Sequence, residues 1–120
     1  MKISQLLEND NRAGFIKGKP LSDEIRDPFI IIFRAQPTKY TDFTKGSYVT
    51  RSKKFAKDHA ISSANYEDEQ FHVVQAFVKT KDVFNASNPG EYIYDGEPAR
   101  GRSIFTANPG DDFEWNLKIF

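Results

Sequence analysis

The chain has 120 residues, equal numbers of basic and acidic side chains, a formal net charge of zero, 38% hydrophobic residues and eleven Phe. That is enough apolar material for one packed domain spanning residues 1–120 without disulfides, and it excludes a disordered tail. No cysteine and two scattered His exclude a thiolate site and leave no metal expected, while the balanced charge speaks against strong non-specific nucleic-acid binding or attraction to an anionic membrane.

Met1 to Asn11 is polar and lacks a hydrophobic signal core, and no apolar run approaches the length of a membrane span, so a soluble cytoplasmic protein is expected. Ile3, Leu6 and Leu7 predict a short helix over Lys2 to Glu8. Residues 12 to 27 read as an irregular connection with a helical turn at Ser22 to Ile25. The β-branched and aromatic run Phe29 to Ala35 predicts a central strand buried on both faces, and Arg34 stands inside it. Gln36 to Lys45 reads as a connection, followed by a strand at Ser47 to Arg51. Ser52 is placed to cap a helix on which Phe55, Ala56 and His59 share a face. Arg51, Lys53, Lys54 and Lys57 form a local basic patch around this corner.

Ile61 to Gln70 reads as a polar loop, and Phe71 to Val78 as a second largely buried strand. Thr80 to Phe84 is a link before the turn Asn88-Pro89-Gly90, where Pro presets one central residue and Gly supplies positive φ at the other. Short strands at Tyr92 to Tyr94 and Ser103 to Phe105 flank an Asp95-Gly96 turn, and Asn108-Pro109-Gly110 turns the chain into a closing strand at Phe113 to Phe120. Many short strands with an early helix predict a mostly β, α+β domain. There is no Gly-x-Gly-x-x-Gly after a strand and no P-loop, so any nucleotide site uses another architecture.

The order of Arg34, then Tyr48-Val49-Thr50-Arg51-Ser52-Lys53-Lys54-Phe55-Ala56-Lys57-Asp58-His59, then Asp82-Val83-Phe84 and Glu91-Tyr92-Ile93-Tyr94-Asp95 resembles the small mono-ADP-ribosyltransferase-like domains of phage and bacterial proteins. The resemblance covers roughly residues 29 to 95. It implies a split, strongly bent sheet with one or two short helices and a cleft for NAD, used as a substrate. It further implies transfer of ADP-ribose to a macromolecular acceptor, a protein foremost, by a phage or mobile-element effector acting on its host.

In that family's arginine, Ser-Thr-Ser-like and glutamate arrangement, the matching positions are Arg34, Thr50-Arg51-Ser52 and Glu91. Arg34 would hold a phosphate or ribose of NAD with its planar fork of donors, against the plainer role of a strand-end arginine pairing with a carboxylate or solvent. Thr50 would bond the nicotinamide ribose or the glutamate, and Ser52 would hold the corner, as a plain helix cap also does. Ala35, Tyr48 and Phe55 complete the expected NAD contacts, although aromatics beside a buried strand are more often core. Glu91 would stabilise the oxocarbenium-like centre that forms as nicotinamide departs; its plainer role is a solvated turn carboxylate.

Glu67-Asp68-Glu69 offers a rival Glu-x-Glu pattern but reads as a solvated loop, and Glu97 and Glu114 rank lower. Pro89 occupies the position two before Glu91 where the family often carries Gln or Glu, which disfavours arginine as acceptor. His59 and His72 read as structural. Target recognition by the transferase would come from loops such as Gln36 to Lys45 and Ile61 to Gln70, and the competing reading is a non-catalytic binding module of the same fold that inhibits a partner.

Overall fold

The computed structural model describes residues 17–112. The helix expected at Lys2 to Glu8, the closing strand at Phe113 to Phe120 and Glu114 lie outside the described residues.

The strands are β1 (Phe29–Pro37), β2 (Asp42–Phe43), β3 (Ser47–Thr50), β4 (Phe71–Lys79), β5 (Val83–Asn85), β6 (Glu91–Tyr94), β7 (Ala99–Arg100) and β8 (Arg102–Ala107), with one α-helix, α1 (Lys53–Glu67), among the described residues. Single 3-10 turns occupy Leu21–Asp23 and Thr80–Asp82. Six strands form an antiparallel sheet in the order β5-β6-β3-β1-β4-β8, and β2 and β7 form a separate pair. The chain is therefore α+β, with β1 at the centre of the sheet, as its apolar run predicts, and β4 an interior strand beside it.

Each sheet face has its own core. On one, Ile30 and Ile32 of β1 and Val74, Ala76 and Val78 of β4 pack with Leu21, Val49, Val83 and Tyr94, under Phe43 from the β2–β7 pair. On the other, Ala56, Ala60, Ile61 and Ala64 of α1 lie on Phe33, Phe71, Val73 and Ala107. Small side chains on the buried face let the helix backbone approach the sheet closely.

Two expectations need correction here. Ile61 to Gln70 is not a loop: the helix continues to Glu67 and ends at Asp68 in the left-handed conformation (φ 54°). The buried Ala60, Ile61 and Ala64, three and four apart, sustain it through polar sequence. Nor is β1 buried on both faces along its length. Phe29 and Ile31 are exposed, because α1 covers only the Phe33 end of that face.

The junction between β1 and β3 positions the site. β1 pairs with β4 through nine residues, Phe29 with Lys79 to Pro37 with Phe71, but meets β3 at a single register pair, Phe33 with Thr50. Beyond that pair the sheet opens.

Gly101 precedes β8, whose Ile104 is the extra residue where the register with β4 shifts between Val73 and Val74, and a methyl group on Gly101 would overlap the Val74 side chain and crowd the Thr41 carbonyl. Gly101→Ala should therefore cost about 1–3 kcal/mol, measured by denaturant unfolding, by overpacking the join between the two sheets. At the end of β6, Asp95 bonds Lys17 Nζ (2.7 Å) and Lys45 Nζ (3.5 Å). The hydrogen bond from Lys17 chiefly holds the Asp95 carboxyl below its ordinary value. A depressed carboxyl stabilises the fold above its unfolded value and loses that contribution as pH falls through the folded one. Asp95→Asn should flatten this acidic part of the stability–pH curve, read by thermal unfolding between neutral and acidic pH.

Candidate functional site

Where the sheet opens, a solvent-accessible cleft of about 420 Å³ is lined by Phe33, Arg34 and Ala35 of β1, Tyr48, Val49 and Thr50 of β3, Phe55, Ala56 and His59 of α1, and Ser87, Asn88 and Glu91. That volume is in the range of small-ligand sites. The cleft brings together Arg34, Ala35, Tyr48, Thr50, Phe55 and Glu91 of the residues singled out from sequence. Ser52 stands outside its lining.

Arg34 follows Phe33 along β1, and side chains alternate faces along a strand, so its stem lies on the face opposite Thr50. The guanidinium reaches the opening. Nη1 donates to the Tyr48 carbonyl (2.7 Å) and Nε to Gln36 Oε1 (3.1 Å). Gln36 is buried and held by its own Nε2, which donates to the Tyr40 carbonyl (2.9 Å). The same carbonyl faces His72 Nε2 (2.7 Å), whose Nδ1 meets Ser103 Oγ (2.9 Å). A carbonyl can only accept, so Nε2 carries a proton. His72 is thus a satisfied core histidine, as expected, and it braces the group behind Arg34.

No carboxylate pairs with Arg34 among the described residues. Burial lowers its pKa from the ordinary value, as desolvation of a cation does. Of its five N–H donors, two bond described residues, Tyr48 and Gln36.

Glu91 opens β6 and is the direct register partner of Thr50. Its carboxylate accepts from Asn88 Nδ2 (3.3 Å), within the turn in which Gly90 takes φ 83° and Glu91 N bonds the Asn88 carbonyl. Of the two partners expected for Thr50, a ribose or the glutamate, its hydroxyl does not bond the glutamate. The buried hydroxyl donates to the Gly90 carbonyl (3.3 Å) and accepts from Ser52 N (3.1 Å), so it ties the β3–α1 corner to the turn before Glu91. Ser52 Oγ accepts from Phe55 N (3.1 Å), the helix cap its position predicts.

Tyr48 and Phe55 are 48% and 49% exposed, so they face the cleft instead of joining the core. They offer flat apolar surfaces for a ring, at the positive end of α1. His59, Ser87 and Asn88 also border the cleft and were not read as site residues. The signals were thin: His59 follows Phe55 by four on the helix, and Asn88 belongs to the Asn-Pro-Gly turn.

The rival acids are elsewhere. Glu67 ends α1, roughly 18 Å along the axis from Phe55 at 1.5 Å per residue, and Asp68 and Glu69 are exposed beyond it. Glu97 is exposed and its carbonyl accepts the Tyr94 hydroxyl. Among the described residues no group of three or more His, Cys, Asp or Glu could hold a metal ion, and no helix is long and apolar enough to cross a membrane.

Comparisons with protein-family models, with curated protein sequences and with solved structures return no match. The site must therefore be read from its own chemistry.

Thr50→Val keeps the side-chain shape and removes both hydroxyl bonds. It should destabilise the fold by about 0.5–1.5 kcal/mol in denaturant unfolding, the net worth of the bonds the buried Thr50 hydroxyl makes to the exposed Gly90 carbonyl and Ser52 N–H.

Proposed function

We propose that the cleft binds NAD and that the protein transfers ADP-ribose from it to a macromolecular acceptor, a protein foremost, releasing nicotinamide. The observation that carries this reading is that Arg34, a desolvated cation with no carboxylate partner among the described residues, borders the same small cleft as the Glu91 carboxylate. A ligand with an anionic body and a leaving group that departs from a developing sugar cation uses both groups. The opening between β1 and β3 would then correspond to the split of the ADP-ribosyltransferase fold.

In this reading Arg34 holds the pyrophosphate, supported by the positive end of α1. Tyr48 and Phe55 flank the nicotinamide. The bond between ribose C1′ and the nicotinamide nitrogen breaks, its electron pair leaving with nicotinamide, and positive charge grows on the ribose. Glu91 stabilises that charge and orients a ribose hydroxyl, while Asn88 holds one carboxylate oxygen. The acceptor's nucleophile forms the new bond to C1′, and its proton passes to solvent. Pro89 provides no side-chain amide or carboxylate beside Glu91, which favours an acceptor other than arginine.

The test is incubation of the purified protein with labelled NAD and a bacterial host lysate, with NAD binding measured separately by calorimetry. Glu91→Gln should lower label transfer by about 10²–10³-fold while sparing NAD binding, since it removes only charge stabilisation. Arg34→Lys should weaken NAD binding by about tenfold or more, because Lys cannot reproduce the planar fork. Full transfer by Glu91→Gln would sink the catalytic assignment. NAD binding without nicotinamide release would instead identify a binding module.

A further inference from the structure

The half of the sheet face that α1 leaves uncovered carries Phe29 and Ile31 of β1 and Phe77 of β4, which are 46%, 45% and 68% exposed. Cross-strand pairing of Ile31 with Phe77 and Phe29 with Lys79 puts these side chains on one face. The rings of Phe29 and Phe77 are stacked on each other, with centroids 5.3 Å apart and planes 26° from parallel, and form an exposed aromatic pair.

The pair has a cationic surround. At one end a depression of about 450 Å³ is bordered by Phe29, Arg26, Lys79 and Lys81, with Asp27 as its one acid. At the other, Arg102 is exposed and shares the face through its pairing with Gln75, itself the partner of Phe33. Among the described residues none of these four cations takes part in an ion pair. A net charge of zero thus conceals a local excess of positive charge around exposed aromatic rings.

We propose that this face binds single-stranded nucleic acid, with bases stacked on Phe29 and Phe77 and phosphates held by Arg26, Lys79, Lys81 and Arg102. Stacking platforms joined to cationic tracks are how single strands are bound without sequence preference. A second copy of the chain fits poorly, because a two-fold contact would set the same cations against each other. An extended peptide adding as a strand would use the outer edge of β4 past Gln75, where β8 no longer pairs, and would leave the aromatic rings on the sheet face without a partner. A base needs only the exposed ring face. This site is separate from the cleft and does not depend on NAD chemistry.

The experiment is fluorescence anisotropy of a labelled oligothymidylate of roughly 15 nucleotides, titrated with the full chain at several salt concentrations. Binding should weaken with salt. Phe77→Ala and Phe29→Ala should each weaken it about fivefold or more, whereas Phe77→Trp should retain it. Lys79→Gln should reduce the slope of log affinity against log salt by about 0.7, the loss of one phosphate contact to a single strand. Circular dichroism of each variant establishes that the fold is kept; Phe77→Trp binding like the wild type while Phe77→Ala fails isolates the ring from any packing effect. No binding by the full chain, or binding indifferent to Phe77→Ala and Phe29→Ala, overturns the proposal. So does equal displacement by polyglutamate, which would mark a surface for acidic polypeptides, or concentration-dependent self-association that buries the face.

Discussion

The architecture turns on one hydrogen bond that replaces a strand ladder. β3 leaves β1 after a single register pair, and the Tyr48 carbonyl, which further pairing would have given a backbone partner, accepts instead from the Arg34 guanidinium. The guanidinium thus gives that solvent-accessible carbonyl a charge-assisted partner at 2.7 Å where the strand ladder gives none, which supports the opening. This accounts for a charge within the apolar run Phe29 to Ala35. The same replacement creates the cleft: a sheet paired throughout would leave no gap between β1 and β3. Gln36 and His72, converging on the Tyr40 carbonyl, hold the guanidinium from behind.

A second constraint joins the opposite walls. The Thr50 hydroxyl bonds the Gly90 carbonyl on one side and Ser52 N on the other, and so joins the start of α1 to the turn that opens β6. The positive end of a helix and the carboxylate of Glu91 are thereby tied to one frame without touching each other. A cleft between independent loops would lose this geometry with each fluctuation; one held by a buried, doubly bonded hydroxyl does not. The division of labour follows from burial. Thr50 is enclosed and spends its oxygen on the backbone, while Glu91, only half-buried, retains capacity for a ligand.

Much of this frame was legible in the sequence, and what was hidden has physical reasons. β1 and β4 announce themselves by continuous β-branched and aromatic runs, Ser52 by its capping position, and the turn before Glu91 by Pro89-Gly90. The second half of α1 was hidden because its buried face is mostly alanine, whose hydrophobic signal is weak beside Ser, Asn and Asp. The exposure of Tyr48 and Phe55 could not be read from composition: an aromatic residue looks the same whether it fills a core or walls a cleft. The convergence of Arg34, Thr50 and Glu91 depends on the strand order β5-β6-β3-β1-β4-β8, in which neighbours are mostly distant in sequence. Their order along the chain was visible; the pairing of Thr50 with Glu91 was not.

The length of α1 and its placement divide one sheet face into two chemically different halves. The helix starts at the β3 corner and lies over Phe33, Phe71 and Val73, so it walls the cleft with its first turns and seals the core with its later ones. It cannot also reach the Phe29 end of β1, where the alternation of the strand still places large apolar side chains. Covering those rings would require another element on the same face; leaving them exposed costs hydrophobic free energy that a folded chain recovers only when something binds there. Lys17, Lys45 and Lys54 are paired with Asp95 and Asp58, whereas the cations around the open aromatic rings form no ion pairs among the described residues. Balanced composition therefore describes the whole chain correctly and each of its surfaces wrongly: the field a ligand meets is set by which charges the fold has already paired.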